Sequence, residues 1–497
     1  MADYDVVIVG GGSAGATLAA RLSENPARRV ALLEAGHDWR AAEAPPHLRW
    51  PNPGPIIQDH KWLWPALKAR RTAAQKPILF WRGRGMGGSS AMNGQIAIRP
   101  PLEDFQDWPE GWQPDDVLPY FTKLEDDRDF PTANYHGRSG PTPVWRAPKD
   151  QWGPMDLALA EAGAALGYPW AEDHNAPGAT GVSPYAINSR DGRRVSVNDA
   201  YLEPARGRGN LTILGDALVD RVLLEGRRAV GVRVRLAGAW VEIKADTVIL
   251  SAGAVHSPAI LLRSGIGPAT HLRALGIAPL AELPVGDNLQ DHPAVAVMMP
   301  LTPEVRVADV AFRHTNCCLR YSSGHPGTGA NDMIIMAFNL MMRDRSIGRL
   351  AVSVFQSFSS GTLRLAGADP TVDPVIEENM LSDPRDLARM RDGAKRVKAL
   401  IDTPAVRRRI AGAAALAGTG VPLDPMPDDQ ALLASAGDAQ HITSTCSMGR
   451  VVDADCRVLG VDNLRVIDAS VMPRTVRANT NLTTIMIAER MAERLQR

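Results

Sequence analysis

The sequence predicts an α/β (α+β two-domain) fold, and three stretches carry that expectation. Asp5-Val6-Val7-Ile8-Val9 is an unbroken β-branched run ending on glycines, as a parallel strand covered on both faces does. Thr247 to Ala254 repeats the pattern, an apolar strand closing on Ala252 and Gly253, and returns the chain to the same sheet. Val352 to Phe358 instead alternates apolar and polar residues, which predicts a strand with one buried face and an antiparallel sheet in the second domain. A length of 497 residues fits two or three domains. With 45% hydrophobic and 22% charged residues the composition is globular, not disordered.

Fifty-five basic residues face 55 acidic ones, so no net field draws the chain to nucleic acid or an anionic membrane, and the expected ligand is a small molecule. Of the four cysteines, adjacent Cys317 and Cys318 cannot readily bridge, and Cys446 and Cys456 lack metal-ligand spacing. No metal is expected, and a reduced, cytoplasmic setting fits. The first residues pass directly into a strand without the basic region and cleavage site of a secretory signal. Ala411 to Val421 is far shorter than the ~20 apolar residues that span a bilayer, so no transmembrane segment is expected. Oligomeric state and peripheral membrane docking have no signature.

The first strand runs into Gly10-Gly11-Gly12-Ser13-Ala14-Gly15, a GxGxxG turn, and then a predicted helix from Ala14 to Leu22. Gly10 permits the tight turn, Gly12 lets a pyrophosphate approach the backbone, and Gly15 lets the helix pack closely on the strand. A second strand, Val30 to Leu33, delivers Glu34 about twenty residues beyond the turn, where a carboxylate accepts from an adenosine ribose. Strand, turn, helix, strand and acid in register make a Rossmann-like dinucleotide site. The pattern alone does not separate NAD from FAD; its place at residue 10, with no catalytic domain ahead of it, favours FAD.

Arg82-Gly83-Arg84-Gly85-Met86-Gly87-Gly88-Ser89-Ser90-Ala91-Met92-Asn93-Gly94 resembles the first signature of the glucose-methanol-choline (GMC) oxidoreductases. Ser251 to Pro258, continuing to Ser264-Gly265-Ile266-Gly267, resembles the second. Val285 to His292, His441 to Gly449, Val466 to Pro473 and Asn479-Thr480-Asn481 follow in the family's order, so the resemblance runs from residue 4 to about 495. Within the family, the site pattern is similar to that of choline and hydroxymethylfurfural oxidases and bacterial alcohol dehydrogenases.

That resemblance implies FAD held by Gly10, Gly12, Ser13, Ala14, Gly15, Glu34 and Ala35, by Gly88, Ser89, Asn93 and Gly94, and by Ala252, Asp468, Ala469, Asn479 and Asn481. The backbone of Val219 would read the adenine. Some members bond the flavin covalently through a histidine, but Met92 stands at that position, which implies non-covalent FAD. His441 would be the base and Asn479 a hydrogen-bond donor to the substrate oxygen. The implied reaction takes a primary alcohol to an aldehyde, His441 removing the proton as hydride passes to the flavin. O2, a quinone or another acceptor would then reoxidise the cofactor. A FAD-dependent hydroxynitrile lyase on the same scaffold and an NAD-dependent dehydrogenase are the rival readings, and the sequence names no particular alcohol.

The motif positions predict an interleaved FAD-binding domain, residues 1–300 completed by 441–497, and a substrate-binding domain whose main part is 301–440. Ile485, Ala488, Ala492 and Leu495 recur at helical spacing, predicting a C-terminal amphipathic helix with Asn481 or Thr483 as N-cap and its start beside the flavin. The helix from Asp386 to Leu400 carries a basic face read as solvated surface. Trp62 and Trp64 line the substrate entrance or pack in the core.

Overall fold

The computed structural model describes residues 2–342 and 345–497. Two seven-stranded sheets organise them. In the first, Leu211–Leu214, Val30–Leu33, Tyr4–Val9 and the end of Ala239–Leu250 run parallel, with Leu464–Val466 on the far edge. Ala239–Leu250 switches partners along its length. Its start pairs antiparallel with Arg228–Leu236, and from Ala245 onward it pairs parallel with Tyr4–Val9, Val9 opposite Leu250. Helix Ser13–Leu22 follows the glycine turn and buries nearly its whole length, because small Ala14, Gly15, Ala16, Ala19 and Ala20 let it lie close to the strands.

The second sheet is antiparallel, ordered Ala415–Leu416, Pro293–Pro300, Arg345–Val354, Met333–Met342, Cys317–Tyr321, Gly181–Pro184, with Gly437–Asp438 also on Pro293–Pro300. Two of its strands thus come from before residue 300. Helices Pro384–Asp402 and Pro154–Ala165 cover one face. A Cβ on Gly393 would come within 2.6 Å of Val352, and one on Gly348 within 2.7 Å of Met155, so positions 348, 350 and 352 point to the helices. Positions 349 and 351 take the opposite face. The strand ends at Val354, earlier than the alternation to Phe358 implied, and Ser353 is buried rather than solvated, its hydroxyl donating to the Pro293 carbonyl at 2.9 Å.

The C-terminal helix spans Thr480–Gln496, and Asn479 holds the N-cap position without a side-chain cap; Asn481 and Thr483 lie in the first turn. It is not amphipathic in the predicted sense. Leu482 to Ala492 are all buried, because Ser13–Leu22 and Pro114–Leu124 both pack against it. Glu489 tolerates that burial because Arg21 at 2.8 Å, Lys123 at 3.3 Å and the Tyr201 hydroxyl at 2.9 Å surround it. The basic helix is solvated through Arg396–Asp392 and Lys398–Asp402 pairs, but Arg389 on it is buried between Asp332 and Asp386. Among the described residues no helix is long and apolar enough to cross a membrane.

Glu125, Asp127 and His136 cluster in the interior at metal-ligand spacing, yet their lone pairs are committed. His136 bridges Glu125 at 2.6 Å and Asp173 at 2.8 Å, while Arg99 and Arg146 hold the carboxylates at 2.7–2.9 Å. Burial opposes the imidazolium, but the two carboxylates win and raise His136 to about 9. The folded value exceeds the unfolded 6.5, so its contribution is complete below pH 6.5 and lost as pH rises through 9. The urea midpoint of wild type should exceed that of His136→Gln most at pH 6, with the gap narrowing towards pH 10; a constant gap would refute the charged network.

Candidate active site

A cavity of about 420 Å³ lies between the glycine-rich turns and the open face of the antiparallel sheet. Its nucleotide arm begins at Gly10, which has φ +104° and whose Cβ would strike Ser251 O at 2.5 Å. A Cβ on Gly12 would meet only Gly88 at 3.8 Å, so this backbone is open to a ligand. Gly15 lies behind the turn, where a Cβ would sit 1.8 Å from Gly10 O. Of the sequence-predicted cofactor residues, Gly15 alone is off the cavity wall; Gly10, Gly12, Ser13, Ala14, Glu34, Ala35, Gly88, Ser89, Asn93, Gly94, Val219, Ala252, Asp468, Ala469, Asn479 and Asn481 line it.

Several of these side chains also hold the walls together. Glu34 accepts from Gly11 N at 2.7 Å and from Gly36 N and Gly85 N at 2.9 Å, tying three turns while keeping acceptor capacity for a ribose hydroxyl. Asp468 accepts from Gly253 N and Ser257 Oγ on one oxygen and from Ser470 N and Oγ on the other, which joins two signature segments. Asn93 accepts from Gln95 N and Arg194, and Ser13 Oγ donates to Asn481 Oδ1 at 2.7 Å. Trp62 is core, edge-on to Trp39, whereas Trp64 lines the cavity and stacks on His256 at 3.9 Å.

At the other arm His441 meets Asn479, whose Nδ2 donates to His441 Nε2 at 3.0 Å. On the opposite side His441 Nδ1 lies 2.9 Å from His292 Nδ1, and His292 Nε2 lies 2.9 Å from the Val476 carbonyl. A carbonyl only accepts, so His292 carries its proton on Nε2 and offers a lone pair at Nδ1. His441 therefore donates from Nδ1 and presents Nε2 to the cavity as an acceptor. The relay assigns the tautomer that a general base requires. Burial, reinforced by the nearby Arg82 charge, holds His441 well below 6.5, so it is neutral at physiological pH.

The backbone beneath His441 is also pinned. Asp291 accepts from His441 N at 2.9 Å on each oxygen and from His292 N at 2.6 Å. Gln440 at φ +64° and Ser444 at φ +70° flank the imidazole in left-handed conformations costing about 1 kcal/mol each. Phe355 stacks on His292 at 4.5 Å and meets His441 edge-on at 6.4 Å. Asp291 and His292 stand in a family segment, and Phe355 in the alternating strand, with no site role legible in the sequence, and Phe338, His314, Thr315 and Arg349 carry no signal there at all. The motif order was the available signal for His292 and Asp291.

Residues 4–294 match the N-terminal profile of the GMC oxidoreductases and residues 357–488 the C-terminal one. The chain belongs to the GMC oxidoreductase family. It is 36% identical to 5-(hydroxymethyl)furfural oxidase of Methylovorus sp. (strain MP688), covering 99% of this chain and 98% of that protein. With human mitochondrial choline dehydrogenase the identity is 34% over 99% and 89% of the two chains. Among solved structures, pyridoxine 4-oxidase from Mesorbium loti superposes with a TM-score of 0.90 at 32% identity, covering 99% of each chain. GMC oxidoreductases bind FAD, and the glycine cradle, open at Gly12 and closed behind by Glu34 and Asp468, fits it. The chain is a FAD-dependent oxidoreductase acting on CH–OH groups.

Proposed function

We propose that this GMC oxidoreductase converts a primary alcohol to an aldehyde with His441 as its base and Asn479 as its positioning donor. The observation that carries the reading is the lone pair of His441 Nε2, turned to the cavity by the His292 relay. An alcohol hydroxyl takes the place now held by the Asn479 N–H, donates to Nε2 and accepts from Asn479 through its oxygen. Asn479 can donate but carries no proton away, so the proton rests on His441. FAD, when bound, supplies the hydride acceptor. Buried Phe355 keeps water from the imidazole.

Residues Gly10 to Ala35, Gly88 to Gly94, Val219, Ala252, Asp468 to Ala469 and Asn479 to Asn481 support the cofactor, and Met92 in the loop favours non-covalent attachment. The FAD unit comprises residues 1–300 and 441–497, with the substrate unit in 301–440 borrowing the strands Gly181–Pro184 and Pro293–Pro300. Four buried free thiols favour a reducing, cytoplasmic setting. O2 or a quinone reoxidises the enzyme, which parallel O2 uptake and dye reduction distinguish.

Anaerobic mixing with primary alcohols tests the reading. The yellow flavin absorbance should bleach, which a hydroxynitrile lyase has no reason to do, and an NAD-dependent enzyme would carry no such chromophore. Because His441 is neutral well below its ordinary value, kcat/KM for bleaching should stay level as pH falls to 6.5 and drop only below it. An acid limb centred at or above 6.5 would contradict the assignment.

A further inference from the structure

We infer that the alcohol taken by this site bears a carboxylate, received by the Arg349 guanidinium on the sheet wall of the cavity. The inference rests on the alcohol-oxidising reading and names its substrate class. Arg349 lies on Arg345–Val354, at a position whose side chain faces the cavity, and lines it with Phe338, its partner across the strand pair. Among the described residues its guanidinium has neither a hydrogen-bond acceptor nor an ion pair; Nε is buried without a partner, and the charge rests over the Phe338 ring at 4.9 Å. Arg349 is only partly exposed, and a cation largely withdrawn from water is costly unless something answers it.

The carboxylates of this wall are spoken for. Asp438, whose field reaches Arg349, is bound to Arg71 and Gln440. Glu34 and Asp468 are tied up in the nucleotide arm. Arg82, the other cation near His441, lies in the field of three carboxylates, Asp291, Asp438 and Glu378, whereas Arg349 has only that of Asp438. Burial lowers Arg349 only to about 10, so it remains charged at neutral pH. His314, stacked on Phe338 at 5.8 Å, is kept neutral by burial and adds no competing charge. Thr315 Oγ1, on the same cavity, is likewise buried without a partner and can donate to an anion. A planar carboxylate matches one guanidinium in both charge and geometry. Met336 and Phe338 between them give an aromatic spacer an apolar bed.

The test compares 4-(hydroxymethyl)benzoate and 4′-(hydroxymethyl)biphenyl-4-carboxylate, each against its methyl ester, in FAD-loaded wild type, Arg349→Met, Arg349→Gln and Arg349→Lys. One acid should exceed its ester in kcat/KM. In the Met and Gln variants its KM should rise about 10- to 100-fold with kcat nearly unchanged, the ester unaffected and Lys partly restoring the loss. Binding of the unreactive 4-methylbenzoate, read from perturbation of the flavin spectrum, should weaken by a similar factor. Equal or better turnover of both esters in wild type, or parallel loss of acid and ester in Arg349→Met, overturns the inference. Arg349-dependent binding of 4-methylbenzoate without bleaching by any alcohol would retain the anion site and overturn the alcohol reading instead.

Discussion

Alanine in place of His441, with FAD still bound, should lower kcat for a good primary alcohol by about 10² to 10⁴-fold. The size follows from the absence of a substitute. Asn479 lies 3.0 Å away but has no basic atom, and His292 has its remaining nitrogen on the Val476 carbonyl. KM should change little, since the hydroxyl keeps Asn479 and the rest of the cavity is intact. Flavin content by absorbance separates lost chemistry from lost cofactor, and His441→Gln repeats the test with the cavity nearly filled. An unchanged kcat in the flavin-loaded variant would remove His441 from the chemistry.

His292→Phe should reduce kcat by about 10²-fold although His292 does not line the cavity. The phenyl ring keeps the stack on Phe355 but removes the acceptor for His441 Nδ1–H, so the proton is no longer directed to the side away from substrate. A second readout distinguishes this from packing damage. His292 accepts from His441 Nδ1–H and so favours the protonated imidazole, and its removal should move the acid limb of kcat/KM further down in pH. A purely structural contact would leave the limb in place.

The nucleotide arm was legible because its determinants are local. Gly10, Gly12, Gly15 and Glu34 lie within one strand–turn–helix–strand unit, and each constraint on them acts between near neighbours or against the next strand of the same sheet. His441 and Asn479 were legible only through the order of the family's segments. The relay was not, since His292 and His441 stand 149 positions apart and no periodicity links them. Arg349 lies in the least patterned region, and its charge acquires meaning only when the neighbouring carboxylates are seen to be engaged elsewhere. The last helix misled for a related reason: Ile485, Ala488 and Ala492 mark one buried stripe, but the helix Pro114–Leu124 covers the side that the sequence left for solvent.

The hydrogen bond from Ser13 to Asn481 staples the start of the first helix to the start of the last. During synthesis, the ribosome must therefore deliver the chain as far as Asn481 before this wall of the pocket can close. Until Leu464–Val466 emerges, the strand ending at Leu250 keeps a bare parallel edge, the kind of surface that invites wrong pairing. A variant lacking the Leu464–Val466 strand would leave that edge permanently open beside the cofactor cradle.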